Sequence, residues 1–228
     1  MGVVYSSARF MMRNALRLFG DWQVDGMECV PPKGGLIVVS NHQSNMDPPL
    51  IMASLPRRVY FMAKRGIFNG PIISTLLKAY GTFPLNRDGG DLQAIQWSLK
   101  MLDSGQVIGI FPEGTRSPGG MRKGIPGIAM IALKSGVPIL PIGMTGTERT
   151  GPPWQVAMPT GEFRVKIGQP FSLPVIEGRV SREQLQSMTD MIMERVAALL
   201  PADYRGVYDL RGAAPPAERP AAVPEGGG

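Results

Sequence analysis

His42 is the only histidine in this 228-residue chain, and it stands in Asn41-His42-Gln43-Ser44-Asn45-Met46-Asp47, with a carboxylate shortly downstream. Histidine takes up and returns a proton near neutral pH, and a neighbouring carboxylate fixes its tautomer and stabilises its charged form. With a tight turn between them, Asp47 can accept the Nδ1 proton of His42 while Nε2 faces a substrate. The pair is a serine-hydrolase triad without its serine, so the substrate is expected to bring the hydroxyl. Ser44 shares the turn with His42 and suits capping of backbone groups better than nucleophilic attack, and no Gly-x-Ser-x-Gly elbow supports an esterase.

A second group is Phe111-Pro112-Glu113-Gly114-Thr115-Arg116-Ser117, which follows an apolar run. A strand that ends in a glycine-containing loop with an arginine and hydroxyls suits a phosphate, because free N–H groups and a forked guanidinium match its oxygens. Glu113 could bind an acceptor hydroxyl there or hold Arg116 in place. Lys64 and Arg87 are two further cations, each following its own apolar run. The strands that precede His42, Lys64, Arg87 and Arg116 would deliver all four to one rim, an anion site beside a base.

The elements that must position these residues are short. Strands are expected at Leu36 to Ser40, Val59 to Met62, Thr82 to Leu85, Val107 to Phe111 and Val137 to Ile142. Helices are expected at Pro48 to Leu55 with Asp47 as N-cap, Ile72 to Ala79, Leu92 to Leu102, and Gly124 to Lys134 stopped by Gly136. This alternation predicts a single α/β domain with a mainly parallel central sheet covered by helices on both faces. Phe163 to Ile167 alternates like an edge strand. Ser181 opens the last helix, with Gln184 at capping-box spacing, and Pro201 ends it.

Composition narrows the partner. Lys and Arg exceed Asp and Glu, giving a net charge of +6, which favours an anionic partner such as phospholipid or nucleic acid. Nucleic acid is disfavoured, since the chain has no zinc-finger spacing, no aromatic RNA-binding signature and no basic heptads. Its one cysteine, Cys29, excludes an intrachain disulfide and suits a reducing compartment. A lone histidine and scattered carboxylates offer no metal-ligand set. No apolar run reaches the length of a membrane span.

The four blocks, in their order along the chain, resemble the lysophosphatidate (1-acylglycerol-3-phosphate) acyltransferases within the glycerolipid acyltransferases. Asn41-His42-Gln43-Ser44 through Asp47 is similar to the family's NHxxxxD. Gly81 to Arg87 is similar to its strand ending in arginine, although Phe83 precedes Arg87 by four positions rather than three. Phe111 to Ser117 reads FPEGTRS, and Val137 to Ile142 is similar to its proline-containing strand. The resemblance spans residues 20 to 170.

It implies transfer of an acyl group from acyl-CoA or acyl-carrier protein, as co-substrate and without a further cofactor, to the free hydroxyl of lysophosphatidate to give phosphatidate. His42 would be the general base and Asp47 its orienting partner. Arg87, Arg116 and Lys64 would hold the acceptor phosphate, with Glu113, Gly114 and Thr115 shaping the same site. Alternatives are the same chemistry on another lysophospholipid or glycerol-3-phosphate, or a peripheral lipid-binding protein without turnover.

Residues 3 to 20 plot as an amphipathic helix with Arg9, Arg13 and Arg17 on one half of the wheel, the pattern of a helix in a membrane interface with its cationic face toward the headgroups. The expected organisation is a membrane-association helix over 1–20, an acyltransferase domain over 21–200 and a flexible Pro/Ala/Gly-rich tail over 201–228. The expected location is the cytoplasmic face of a membrane, peripheral or monotopic.

Overall fold

The run Leu36–Ser40 is buried at every residue because it lies in the middle of a seven-stranded sheet. The structure, a computed structural model, describes residues 2–209 apart from 69, 72, 73, 76, 78–80, 86–89, 152, 157, 175 and 177. In chain order the described strands are β1 (Gly20–Asp25), β2 (Leu36–Ser40), β3 (Val59–Lys64), β4 (Thr82–Leu85), β5 (Val107–Ile110), β6 (Ile139–Thr145) and β7 (Gly161–Ile167). The described α-helices are α1 (Val3–Phe19), α2 (Asp47–Ser54), α3 (Gly90–Asp103), α4 (Gly127–Ser135) and α5 (Arg182–Ala197). The helix expected over 72–79 falls largely outside the described residues.

The sheet order is β1-β7-β6-β2-β5-β3-β4. Strands β6, β2, β5, β3 and β4 are mutually parallel, so all five present their C-terminal ends at one edge. Strand β7 is antiparallel to β6, and β1 runs parallel to β7. Side chains of a strand alternate between faces, and β2 shows the consequence. Leu36 and Val38 join Leu50, Leu140 and Val165 beneath α1 and α2, whereas Ile37 and Val39 join Ile108, Ile131, Ile192 and Val196 beneath α3, α4 and α5. Parallel strands buried on both faces read as continuous apolar runs. At the end of α4, Gly136 takes a left-handed conformation with φ of 63° and its N–H bonds Ala132 O, closing the helix as the sequence predicts.

Four expectations need correction. Strand β7 is not an edge: Gly20–Asp25 pairs along its length, from Gly20 opposite Gly161 to Asp25 opposite Lys166. Strand β1 follows α1 without a break and carries only Trp22 and Val24 toward the core, too short an alternation to register. Helix α2 has Met46 rather than Asp47 at its N-cap position, with Asp47 as its first residue. The chain also stays packed beyond Pro201. Two single-turn helices, Ala202–Tyr204 and Gly206–Tyr208, follow, and Tyr208 is buried.

The fourth correction concerns the orientation of α1. Arg9 and Arg13 do not point away from the body of the protein. Arg13 Nε donates to Ala53 O at 2.8 Å and Arg9 Nη1 to Pro56 O at 3.2 Å, both at the carbonyl end of α2. Helix C-termini leave carbonyls unpaired and carry partial negative charge, so guanidinium groups are drawn there. Tyr5 and Leu16 are fully buried beside them, and the Tyr5 hydroxyl accepts the Val59 N–H at 3.1 Å. The surface left to solvent carries Ser6, Ser7 and Arg17 but also large apolar side chains, with Val3 81%, Phe10 69%, Met11 69% and Leu18 76% exposed.

Candidate active site

The motif loop leaves β2 at Ser40 and is fixed before it reaches His42. The Asn41 side chain both donates to Met144 O and accepts Met144 N–H, each at 2.9 Å, tying the loop to β6 across 103 residues of sequence. Only an amide side chain offers donor and acceptor together in this way. Gln43 Oε1 accepts the Thr147 hydroxyl at 3.2 Å. Between these two anchors the His42 ring turns toward Asp47.

Asp47 is fully buried, and its Oδ2 receives three donors: the Gln43 N–H at 2.6 Å, the Ser44 N–H at 2.8 Å and His42 Nδ1 at 2.7 Å. That explains its place in the first turn of α2 rather than at the cap: the carboxylate reaches back to close the preceding turn. Since Oδ2 acts as acceptor throughout, Nδ1 carries the ring proton and the lone pair belongs to Nε2, the tautomer a general base requires. The ring is stacked on Phe111, with centroids 4.2 Å apart and an interplanar angle of 21°, and keeps 18% of its side-chain surface exposed. Ser44 Oγ accepts the Met46 N–H at 3.1 Å, the capping role its position suggests.

Phe111 is held in turn by Phe61, whose ring centroid lies 5.9 Å away in β3. Phe61 has room because β5 carries Gly109 beside it: a Cβ there would fall on the Phe61 ring. An aromatic stack thus runs from the core to His42. Sequence reasoning passed over Phe61 and Gly109, whose pairing across strands no periodicity reveals. It also passed over the structural parts of Asn41 and Gln43, although the presence of two amides beside His42 was a usable signal.

Glu113 does something different from what its sequence context suggests. It is 5% exposed; Oε1 accepts the His42 N–H and Oε2 the Arg122 N–H, both at 2.8 Å. Both oxygens are therefore spent on backbone, and the carboxylate clamps two loops instead of holding Arg116. Burial pushes the Glu113 carboxyl above its ordinary range, opposed by the hydrogen bonds it accepts, those from Arg122 and His42 among them. The Ser117 N–H donates to His42 O at 2.6 Å, closing the loops from the other side.

Of the remaining predicted residues, Gly114 to Arg116 and Lys64 belong to segments at the same edge of the sheet. Gly114 takes φ of 68°, a left-handed turn that glycine adopts without strain, and a Cβ in its place would meet Ile125 Cδ1 at 2.6 Å. Thr115 and Arg116 are exposed beyond it. Lys64 is the last residue of β3, opposite Leu85 at the end of β4. Arg87 lies outside the described residues. Strands β2, β5, β3 and β4 are adjacent and parallel, so the segments bearing His42, Glu113 to Arg116 and Lys64 leave the sheet at one rim. Ligands of open parallel sheets bind at that edge. No metal-binding cluster of His, Cys, Asp or Glu occurs among the described residues.

Comparison with known proteins places the chain among relatives of one kind. The chain is 26% identical to the 1-acyl-sn-glycerol-3-phosphate acyltransferase of Bacillus subtilis (strain 168), over 86% of this chain and 96% of the relative. It is 33% identical to the enzyme of that name from Borreliella burgdorferi, over 55% of this chain and 51% of the relative, so it spans about half of that protein. The crystal structure of the 1-acyl-sn-glycerophosphate (LPA) acyltransferase PlsC from Thermotoga maritima matches with a TM-score of 0.65 at 29% identity, covering 94% of this chain and 82% of that one. The family model described as Acyltransferase matches residues 21–145, from β1 through the His42 and Glu113 loops to the end of β6 and over more than half of the chain, and this protein belongs to the acyltransferase family.

Proposed function

We propose that this protein is a 1-acyl-sn-glycerol-3-phosphate acyltransferase, moving a fatty acyl group from a thioester to the free hydroxyl of lysophosphatidate to give phosphatidate. The observation that carries this reading is the His42–Asp47 pair, a tautomer-fixed base at 2.7 Å whose local serine is spent on a backbone cap. His42 Nε2 removes the proton of the acceptor hydroxyl as its oxygen attacks the thioester carbonyl. The tetrahedral oxyanion then collapses, the C–S bond breaks, and the departing thiolate takes the proton back from His42. Asp47 stabilises the imidazolium formed between the two steps.

The donor carrier is acyl-CoA or acyl-carrier protein, and the chemistry of His42 is the same for both. Arg116, together with Lys64 and Arg87, holds the acceptor phosphate through charge-assisted hydrogen bonds. Glu113, Gly114 and Thr115 give the loop that carries Arg116 its shape. The names of the relatives support lysophosphatidate over other acceptors.

Acceptor and product are bilayer lipids. The exposed apolar strip of α1 supports attachment to a membrane interface, while among the described residues no helix is long and apolar enough to cross a membrane. Attachment is peripheral or monotopic, on the cytoplasmic face where acyl-CoA and acyl-carrier protein are met.

The test compares phosphatidate formation from lysophosphatidate with product formation from glycerol-3-phosphate and from a lysophospholipid with an esterified phosphate, at equal concentration. Preference for lysophosphatidate supports the reading. Preference for either other acceptor keeps the chemistry and changes the substrate.

A further inference from the structure

The 111–126 loop joins β5 to α4 and holds neither strand nor α-helix, an unusual length of irregular chain for a compact domain unless it is held from outside. Its first half is tied to the His42 backbone through Glu113 and Ser117; what holds its second half lies beyond residue 145, past the stretch that matches the family model. The Met121 N–H donates to Tyr204 O and Met121 O accepts the Val207 N–H, each at 3.0 Å, so both backbone groups of this buried residue are bound by the segment after α5. Gly124 is bound from the same end of the chain. Its N–H donates to Tyr208 Oη at 3.0 Å, and its carbonyl accepts Gln186 Nε2 at 3.1 Å.

The contact is rigid on the far side too. Tyr208 Oη donates to Asp190 Oδ1 at 2.9 Å, and Tyr204 Oη donates to Glu148 Oε1 at 2.8 Å. Glu148 Oε2 in turn accepts the Gly146 N–H at the end of β6, at 2.9 Å. Gly206, at φ of 53°, lets the two backbones touch, its Cα lying 3.1 Å from where a Cβ on Gly120 would sit. Within the loop the chain of contacts continues from Met121 to Arg122, whose N–H is bound by Glu113, and from Glu113 to the His42 N–H.

We propose that the segment 202–208 is a strap that positions the 111–126 loop, and that Tyr208 and Tyr204 are positioning residues for acceptor binding. The proposal rests on the phosphate-binding reading of Arg116 given above. His42 has supports of its own in Asp47, Asn41 and Phe111. Arg116 lies between Glu113 and Ser117, whose bonds to the His42 backbone hold its loop from one side only, so loosening the strap on the other side moves the anion-binding side of the site more than the base.

The test uses full-length Tyr208→Phe, which keeps the ring and removes both hydroxyl contacts. A control of matched stability loss is Leu102→Val, at the end of α3 before β5 begins, the opposite edge of the sheet. The KM for lysophosphatidate should rise about fivefold or more in Tyr208→Phe, with kcat within about twofold, the thioester KM unchanged, and none of this in Leu102→Val. Amide exchange should quicken at Gly124 and also at Arg122 and Ser117. Unchanged acceptor KM, or faster exchange confined to Gly124, would overturn the strap. If Tyr208→Phe does not fold, Tyr204→Phe carries the same test with the same direction of change. Should the wild-type protein transfer no acyl group, the function reading fails, while exchange spreading to Arg122 and Ser117 would still support the strap and confinement to Gly124 would still overturn it.

Discussion

Glu113 Oε1 accepts the backbone N–H of His42 at 2.8 Å, joining two motif loops that are 71 residues apart in sequence. The other oxygen binds the Arg122 N–H, so one buried carboxylate sets the spacing between His42 and the loop that bears Arg116.

Glu113→Gln replaces a titrating carboxyl by an amide of the same shape that is uncharged at every pH, so the comparison isolates what the ionisation of Glu113 does to stability. Burial raises the Glu113 carboxyl in the folded state, so its proton is bound more tightly there than in the unfolded chain. The stability due to this group is then fullest below the ordinary carboxylate range and is lost as pH rises through its raised folded value. The Tm gap, wild type minus Glu113→Gln, should therefore shrink as pH rises from mild acid to about 7. A gap that widens as pH rises would show that burial does not dominate.

Asp47→Asn should keep the turn, since an amide oxygen can still accept the Gln43 and Ser44 N–H groups. It cannot stabilise an imidazolium as a carboxylate does. Steady-state kinetics should give a kcat lower by about 10²–10⁴-fold with the acceptor KM little changed. A KM effect without loss of kcat would assign Asp47 to binding.

Asn41→Ala leaves the buried N–H and C=O of Met144 without their partner. Each orphaned group costs about 1–3 kcal/mol. Denaturant unfolding should show a loss in that range or above, together with reduced kcat, because the loop that aims His42 loses its anchor on β6. A drop in stability with kcat preserved would mean that Asp47 and Phe111 suffice to aim the ring.

Phe10→Glu with Leu18→Glu alters two residues that are 69% and 76% exposed and so spares the core. The variant should lose co-sedimentation with anionic phospholipid vesicles while its Tm stays within a few degrees. Undiminished vesicle binding would remove α1 from the account of how the protein meets its lipid.

The His42–Asp47 pair was legible because its geometry is local: the two residues share one turn, and residue type with spacing is enough to bring them together. The central strands were legible for a related reason, since a strand covered on both faces needs an unbroken apolar run, as in Leu36–Ser40. What the residues hid depends on contacts between distant segments. The true partner of Glu113 is a backbone group, and no side-chain type announces that. The inward turn of Arg9 and Arg13 follows from the open carbonyls of α2, which a helical wheel drawn on α1 alone does not contain. Strand β1 owes its existence to β7, some 140 residues later, as the bond from Arg164 to Asp21 across 143 positions illustrates. Tyr204 and Tyr208 stand just ahead of a Pro/Ala/Gly-rich tail, and only their packing marks them off from it.

The most direct test of the central claim is thiol release from a long-chain acyl-CoA, and from acyl-carrier-protein donors in parallel, by wild type and by His42→Ala of matched Tm, with and without lysophosphatidate. The account predicts release that requires the acceptor, is matched by phosphatidate formed, and falls by at least about 10²-fold in His42→Ala. Release at full rate without acceptor, or undiminished transfer in His42→Ala, would contradict it.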